Sequence, residues 1–169
     1  MARIPVVLGF AVLAACGGGG DPAMPPPAEA IAPVPIPTIP GMTPPGTPVG
    51  YDTVERSGVY SGVPAERLVV VRDAPNWMAL WTQYTANVMP QPALPAVDFN
   101  TKMVIGVFLG ARPDGCYSVA ITQVLQDNGN LSVEYSEVRS QGACIQVITY
   151  PSHIISVPAT SGTVQFLRI

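Results

Sequence analysis

The sequence predicts an α+β fold, in which a single small domain has an antiparallel β-sheet packed against one main helix, preceded by a disordered tether rich in proline and glycine. Three observations support this fold class. A stretch rich in proline and glycine separates the N-terminus from the rest of the chain, one amphipathic helical pattern follows, and short β-branched segments then continue to the C-terminus. We therefore divide the 169 residues into 1–15, 16–50 and 51–169.

Residues 1–15 have the pattern of an export signal. One positive charge, at Arg3, precedes an apolar run that is too short to cross a membrane, which takes about 20 apolar residues. The ending Leu13-Ala14-Ala15-Cys16 resembles the lipobox of bacterial lipoproteins, in which the cysteine is acylated and becomes N-terminal after cleavage. The resemblance implies that Cys16 carries lipid and attaches the protein to a membrane of the bacterial cell envelope, in the periplasm or facing the surface. The alternative is an ordinary secretory signal beside an incidental cysteine.

Residues 16–50 are expected to form a disordered linker that begins at the lipidated cysteine. From Gly17 to Gly50 there are 11 prolines and 7 glycines among 34 residues, with two charges and no aromatic residue. This composition cannot build a core, and its proline-rich parts favour an extended polyproline conformation. We expect a spacer that holds the domain away from a membrane. The alternative is a ligand for a proline-recognising module, but the basic residues that usually orient such ligands are missing.

Residues 51–169 have the size of one domain. Its first clear strand is Glu66–Arg72, which contains a short β-branched apolar run. Asp73 can then cap a helix. One face of this helix carries Trp77, Leu80, Trp81 and Tyr84. We expect that face to pack against the sheet, with an aromatic platform for a ligand as the alternative.

Strand patterns fill the rest of the domain. Two alternating segments flank Asp127-Asn128-Gly129-Asn130, and an Asn-Gly pair in that position is a strong signal for a hairpin. The segments expected to form strands after the helix are Met103–Leu109, Tyr117–Leu125, Leu131–Val138, Ile145–Thr149, His153–Val157 and Thr163–Leu167.

Several of these segments together resemble a known family. The run from Met103 to Val119, with Gly110-Ala111-Arg112-Pro113-Asp114-Gly115 at its centre, and the later run from Tyr150 to Pro158 are similar to the PrcB C-terminal domain family. The sequence departs from the family pattern at Cys116, where glycine is usual. The family takes its name from a lipoprotein accessory subunit of a bacterial surface protease complex. The resemblance implies a small exported domain that acts by protein contact, without an established catalytic activity.

The three cysteines are expected to have two different roles, one in lipid attachment and two in a disulfide. If Cys16 carries lipid, Cys116 and Cys144 make an even number in an exported domain, where paired cysteines normally form disulfides. We therefore expect a disulfide between Cys116 and Cys144. The alternative is a thiol nucleophile at either cysteine, activated by His153, although no cysteine-protease motif surrounds them.

Composition argues against several classes of function. Eight basic and eleven acidic residues, without a run of either sign, argue against electrostatic binding of nucleic acid. One histidine cannot make a multi-histidine metal site, so we expect no metal and no cofactor. The sequence contains no recognisable catalytic constellation, and we expect no catalytic residue.

These observations predict a membrane-anchored, non-catalytic accessory module that binds another exported protein. Its expected role is to stabilise or assist an exported protease. The contact is expected through an exposed sheet edge or through the loop between the first two strands after the helix. The candidate binding residues are Gly110, Arg112, Pro113, Asp114, Gly115, Tyr117 and His153. The alternative is a small-ligand carrier or an enzyme with a pocket near His153 and the helix of Trp77 and Trp81.

Overall fold

The computed structural model describes residues 44–58 and 61–169. The expected export signal, the expected lipidation site Cys16 and the linker as far as residue 43 lie outside the described residues. Within the described part, no helix is both long and apolar enough to cross a bilayer. The elements in chain order are β1 (Thr47–Pro48), β2 (Asp52–Ser57), β3 (Arg67–Val71), α1 (Ala74–Tyr84), β4 (Lys102–Phe108), β5 (Tyr117–Asp127), β6 (Asn130–Arg139), β7 (Ser152–Pro158) and β8 (Val164–Arg168).

The strands form two four-stranded sheets that pack face to face. The first sheet has the order β1-β5-β6-β8 and the second has the order β2-β7-β4-β3. Neighbouring strands are antiparallel except for β6 and β8, which are parallel. The α+β class is confirmed, but two sheets replace the single sheet expected. The difference arises because β4 pairs with β7, across the intervening β5–β6 hairpin, and local sequence patterns do not encode such distant pairing.

Two hydrophobic clusters divide the domain into three layers. One cluster fills the space between the two sheets, and the other lies between α1 and the outer face of the second sheet. Successive residues of β4 serve different clusters, since Val104 faces the helix while Ile105 faces the other sheet. The second cluster includes the aromatic face of α1, which packs against the sheet as expected: Trp77, Leu80, Trp81 and Tyr84.

Two local signals act as the sequence predicts. Asp73 caps α1, because its Oδ1 accepts a hydrogen bond of 2.9 Å from the backbone N–H of Asn76. Asn128 and Gly129 have φ angles of +48° and +82° at the turn between β5 and β6. Positive φ at both central residues is what a tight hairpin turn that matches the strand twist requires.

Two segments differ from the prediction. Ile145–Thr149 is not a strand, because apart from an isolated bridge between Thr149 and Arg112 its backbone is irregular. It is bound to the loop before β5 rather than to a neighbouring strand. Conversely, β1 and β2 are not expected from the sequence, and β1 pairs with Leu125 and Gln126 of β5. The first sheet therefore includes two residues that precede residue 51, where the sequence places the start of the domain.

Candidate functional site

His153 is buried between the two sheets, with 3% of its surface exposed. Its Nδ1 accepts a hydrogen bond of 2.8 Å from the backbone N–H of Ile121, so the neutral ring carries its proton on Nε2, which lies 3.1 Å from Thr53 Oγ1. Burial, and to a smaller extent the charge of Arg56, lowers the pKa of His153 to about 4. The ring is therefore neutral at pH 7, and both of its nitrogens have partners.

The same region of β5 binds two further side chains of the second sheet and its approach. The Tyr51 hydroxyl donates to the carbonyl of Ile121 at 2.9 Å, and Arg56 Nε donates to the carbonyl of Val119 at 3.0 Å. The two-residue β1 pairs with β5 only at Leu125 and Gln126. The side chains of Tyr51 and Arg56 therefore supply hydrogen-bond donors to a part of the β5 edge that β1 does not cover. The surroundings of His153 thus give it a role in joining the sheets.

Arg112, a candidate for binding, is held within the domain. Its Nε and Nη2 donate to the two carboxylate oxygens of Glu137 at 2.6 and 3.0 Å, and its Nη1 donates to the carbonyl of Leu109 at 2.6 Å. Arg168 contacts the same carboxylate. The hydrogen bond from Arg112 lowers the pKa of Glu137, and in return the carboxylate raises the pKa of Arg112. This bidentate pair fixes the loop before β5 against β6.

Asp114 and Tyr117 are likewise engaged inside the domain. Asp114 Oδ1 accepts from the backbone N–H of Cys116 at 2.9 Å, and its Oδ2 lies 3.1 Å from Nη2 of Arg139. The backbone hydrogen bond from Cys116 is the main reason that the pKa of Asp114 is lowered. The guanidinium of Arg139 also lies 5.5 Å from the centre of the Tyr117 ring. Of the predicted binding residues, Pro113 and Gly115 are exposed.

Two glycines of the predicted binding loop allow close backbone contacts. Gly110 has a φ of +71°, and a Cβ added there would lie 2.7 Å from the backbone nitrogen of Glu66. A Cβ on Gly115 would overlap the side chain of Ile145, whose carbonyl accepts the Gly115 N–H at 2.9 Å. Gly115 therefore lets residues 140–149 lie directly against the loop before β5.

Cys116 and Cys144 form a disulfide, as predicted. Neither sulfur is therefore available as the thiol nucleophile that the sequence left as an alternative. The Asp114 carboxylate lies within 4.8 Å of both sulfurs, but disulfide sulfurs lack the thiolate character that binds metal ions. Residues 140–149 are held to the loop before β5 at three further points, by hydrogen bonds that join Ser140 to Cys116, Gly115 to Ile145 and Thr149 to Arg112.

Residues 140–149, which we call the braced segment, present apolar side chains to solvent. Ile145, Val147 and Ile148 are 57%, 50% and 63% exposed, and Val138 near the end of β6 is 49% exposed. We call these four residues the aliphatic surface. Residues 140–150 contain no charged residue. The sequence prediction missed this surface because it assigned the apolar run to a buried strand, although the cysteine directly before Ile145 is a signal that the run is tied to a loop.

The ligand-pocket alternative finds little support in the described grooves. A groove of about 380 Å³ is lined in part by Asp52, Val97 and Lys102, and another of about 180 Å³ is lined in part by Pro44 and Gln165. Neither groove is lined by His153 or by a tryptophan of α1. Both tryptophans are buried, and their indole N–H groups donate to the carbonyls of Pro95 and Pro92.

Comparison with protein families matches residues 103–158 to the family described as PrcB C-terminal. The matched region runs from β4 to the end of β7 and includes both the predicted binding loop and the braced segment. The resemblance seen in the sequence is thus confirmed over residues 103–158, which are similar to the PrcB C-terminal family. No curated protein matches the chain. No solved structure matches it either.

Proposed function

We propose that this protein is an accessory module of the bacterial cell envelope that is attached to a membrane through lipid on Cys16 and acts by binding an exported protein. The observation that carries the proposal is the aliphatic surface, whose side chains are about half exposed or more although their segment is tightly held. A group of exposed aliphatic side chains on a soluble domain commonly marks a contact surface for a protein.

The way in which the aliphatic surface is held favours binding. A disulfide and several backbone hydrogen bonds fix residues 140–149 before any partner arrives, so little conformational freedom is left to lose on association. The absence of charge from residues 140–150 also suits the centre of a protein interface, where charged residues are depleted. The polar candidates Arg112, Asp114 and His153 support the scaffold behind this surface instead of making the contact themselves.

An exported protease is the partner that we propose. The support is the family match over residues 103–158, because the family is named after an accessory subunit of a protease complex. A non-catalytic role agrees with the chemistry of the groups considered as catalysts. Cys116 and Cys144 are bonded to each other, and His153 is neutral, buried and hydrogen-bonded through both nitrogens.

Anchoring can be tested through the processing of the export signal. Cells expressing the full chain are treated with an inhibitor of type II signal peptidase, and the Cys16→Ser variant serves as the matched control. We expect the inhibitor to cause accumulation of the unprocessed form, and we expect the variant, which cannot be acylated at position 16, to stay unprocessed with or without the inhibitor. Processing of the wild type that the inhibitor does not change, or normal processing of the variant, would contradict lipid anchoring.

Protein binding can be tested by purification of the lipidated chain from native membranes after mild cross-linking. An unrelated lipoprotein with the same tag is the control. We expect an exported protease to be recovered with the chain in near-equal amounts. If exported proteins are recovered only at the level seen with the control, the proposed accessory function is wrong.

A further inference from the structure

The linker and the aliphatic surface join the domain at opposite ends of the β5–β6 hairpin. Thr47 and Pro48 pair with Gln126 and Leu125, next to the turn of the hairpin. Val138 pairs with Ser118 at the other end of the hairpin, and the disulfide is formed by the residue just before β5. At about 3.3 Å per residue, the part of β5 that separates these two contacts is roughly 25 to 30 Å long.

The direction in which the linker leaves the domain is set by close packing at the turn. Gly46 has a φ of +149°, and a Cβ there would lie 2.9 Å from the carbonyl oxygen of Gln126. Pro44 and Pro45 line a groove together with Asp127 and Asn130, the residues that bound the hairpin turn. Residue 44, where the described part of the chain begins, therefore lies at the turn end of the hairpin.

From this arrangement we infer that the aliphatic surface is the contact site for an exported protein and that it lies at the end of the domain opposite to the one that Thr47 and Pro48 join. The inference rests on the proposed function, because it locates the contact that binding of an exported protein requires. The partner is a protein with an uncharged apolar depression that receives the aliphatic surface, and is neither the membrane itself nor a second copy of the chain.

Charge argues against the membrane as the occupant of this surface. Binding to anionic lipid headgroups draws on clusters of lysine and arginine, and residues 140–150 carry neither. The nearby cation Arg139 is paired with Asp114. An uncharged contact also predicts that added salt has little effect on the association, because there are few charges to screen.

The contact site can be located by photo-cross-linking in cells. Benzoylphenylalanine replaces Ile148 in the full lipidated chain, and a matched control carries it in place of Met89, which is 88% exposed in the segment that follows α1. We expect a discrete adduct with an exported protein from position 148 and none from position 89. An adduct of position 148 with lipid or with a second copy would overturn the inference, as would no adduct above the Met89 control.

A pair of variants separates this inference from the proposed function. Ile145→Ser with Ile148→Ser removes two of the four aliphatic side chains, and Met89→Ser is the control at an exposed apolar residue outside this surface. Circular dichroism confirms that each chain is folded. We expect the double variant to recover at least tenfold less partner than the wild type, and the control to recover a normal amount. If the double variant retains the partner, the inference is overturned while the proposed function stands. If the wild type itself recovers none, the proposed function fails, and the inference fails with it.

A last measurement examines the two rival occupants directly. A chain that begins at residue 17, and so lacks both the export signal and Cys16, is mixed with vesicles of phosphatidylcholine and phosphatidylglycerol and also sedimented alone. We expect it neither to float with the vesicles nor to dimerise. Flotation or dimerisation that the serine substitutions at positions 145 and 148 abolish would overturn the inference in favour of the membrane or of a second copy.

Discussion

The imidazole of His153 on β7 accepts a 2.8 Å hydrogen bond from the backbone N–H of Ile121 on β5, and this bond joins the two sheets of the domain. The pairing of β5 with β6 shifts register between Ile121 and Gln123. A ring that must accept at Nδ1 cannot also be protonated there. The link between the sheets therefore depends on the neutral form of His153.

This dependence predicts a loss of stability in mild acid. The folded-state pKa of His153, about 4, lies below its ordinary value of 6.5, so the unfolded chain binds the proton more readily. The stabilisation is complete above pH 6.5 and declines as the pH falls towards 4. We expect the free energy of unfolding to fall by about 2 kcal/mol between pH 7.5 and pH 5, measured by chemical denaturation.

The control for the pH dependence is His153→Asn, whose Oδ1 takes the position of Nδ1 as the acceptor for the Ile121 N–H but does not titrate. Because the chain has one histidine, we expect the stability of this variant to be nearly constant from pH 7.5 to pH 5. The lowered pKa values of Asp114 and Glu137 place their contributions at lower pH, where stability is lost as the pH falls through those values. A variant with the same pH dependence as the wild type would refute the role of His153.

The Arg112–Glu137 pair predicts an asymmetric response to substitution. The two side chains are 18% and 10% exposed, so Arg112→Met leaves a largely buried carboxylate without its bidentate partner. We expect a loss of about 3 kcal/mol in the free energy of unfolding. Replacing both residues by methionine should cost clearly less than the sum of the two single changes, because neither charge then remains unpaired.

The exposed pair of Lys102 and Asp52 is the matched control for this measurement. Its nitrogen–oxygen distance is 2.7 Å, but the side chains are 44% and 73% exposed. We expect Lys102→Met to cost under about 1 kcal/mol, since solvent screens the pair. Equal losses at Arg112 and Lys102 would show that burial does not set the energy of the Arg112 pair.

The disulfide predicts a change in stability when it is removed. It joins residues separated by 28 positions, and loss of the cross-link in Cys116→Ser with Cys144→Ser should lower the free energy of unfolding by roughly 3 to 4 kcal/mol. Reductant should destabilise the wild type by a similar amount and leave the variant unchanged. If reductant has no effect on the wild type under unfolding conditions, the disulfide does not contribute in this way.

A comparison of alanine substitutions at two glycines distinguishes the cost of backbone strain from the cost of steric overlap. Gly129 and Gly110 both have positive φ, but an added Cβ meets nothing within 4 Å at Gly129, whereas at Gly110 it would lie 2.7 Å from the nitrogen of Glu66. We expect Gly129→Ala to cost about 1 to 2 kcal/mol and Gly110→Ala about 3 kcal/mol or more, because the second change adds overpacking to the strain. Thermal unfolding of the two variants provides the comparison, and equal costs would contradict it.

The features of the fold that could be predicted depend on residues close together in the sequence. The cap at Asp73, the aromatic face of α1 and the turn at Asn128 and Gly129 each arise within a few residues, where capping, helical spacing and positive φ act directly. The disulfide followed from counting the cysteines of an exported domain. The predicted binding loop lies next to the aliphatic surface, and its polar residues Arg112 and Asp114 form hydrogen bonds inside the domain that no local pattern indicates.

The pattern of apolar residues alone established one helix and most of the strands, since burial of one face imposes a period on the sequence. Tertiary contacts established that β4 pairs with β7, that a second sheet forms and that His153 joins the two sheets. They also place residues 145–148 in an exposed, irregular segment instead of the expected strand, while Thr149 is buried. An apolar run is buried in a sheet only if a partner strand pairs with it, and here the disulfide and an isolated bridge between Thr149 and Arg112 fix the run against the loop before β5.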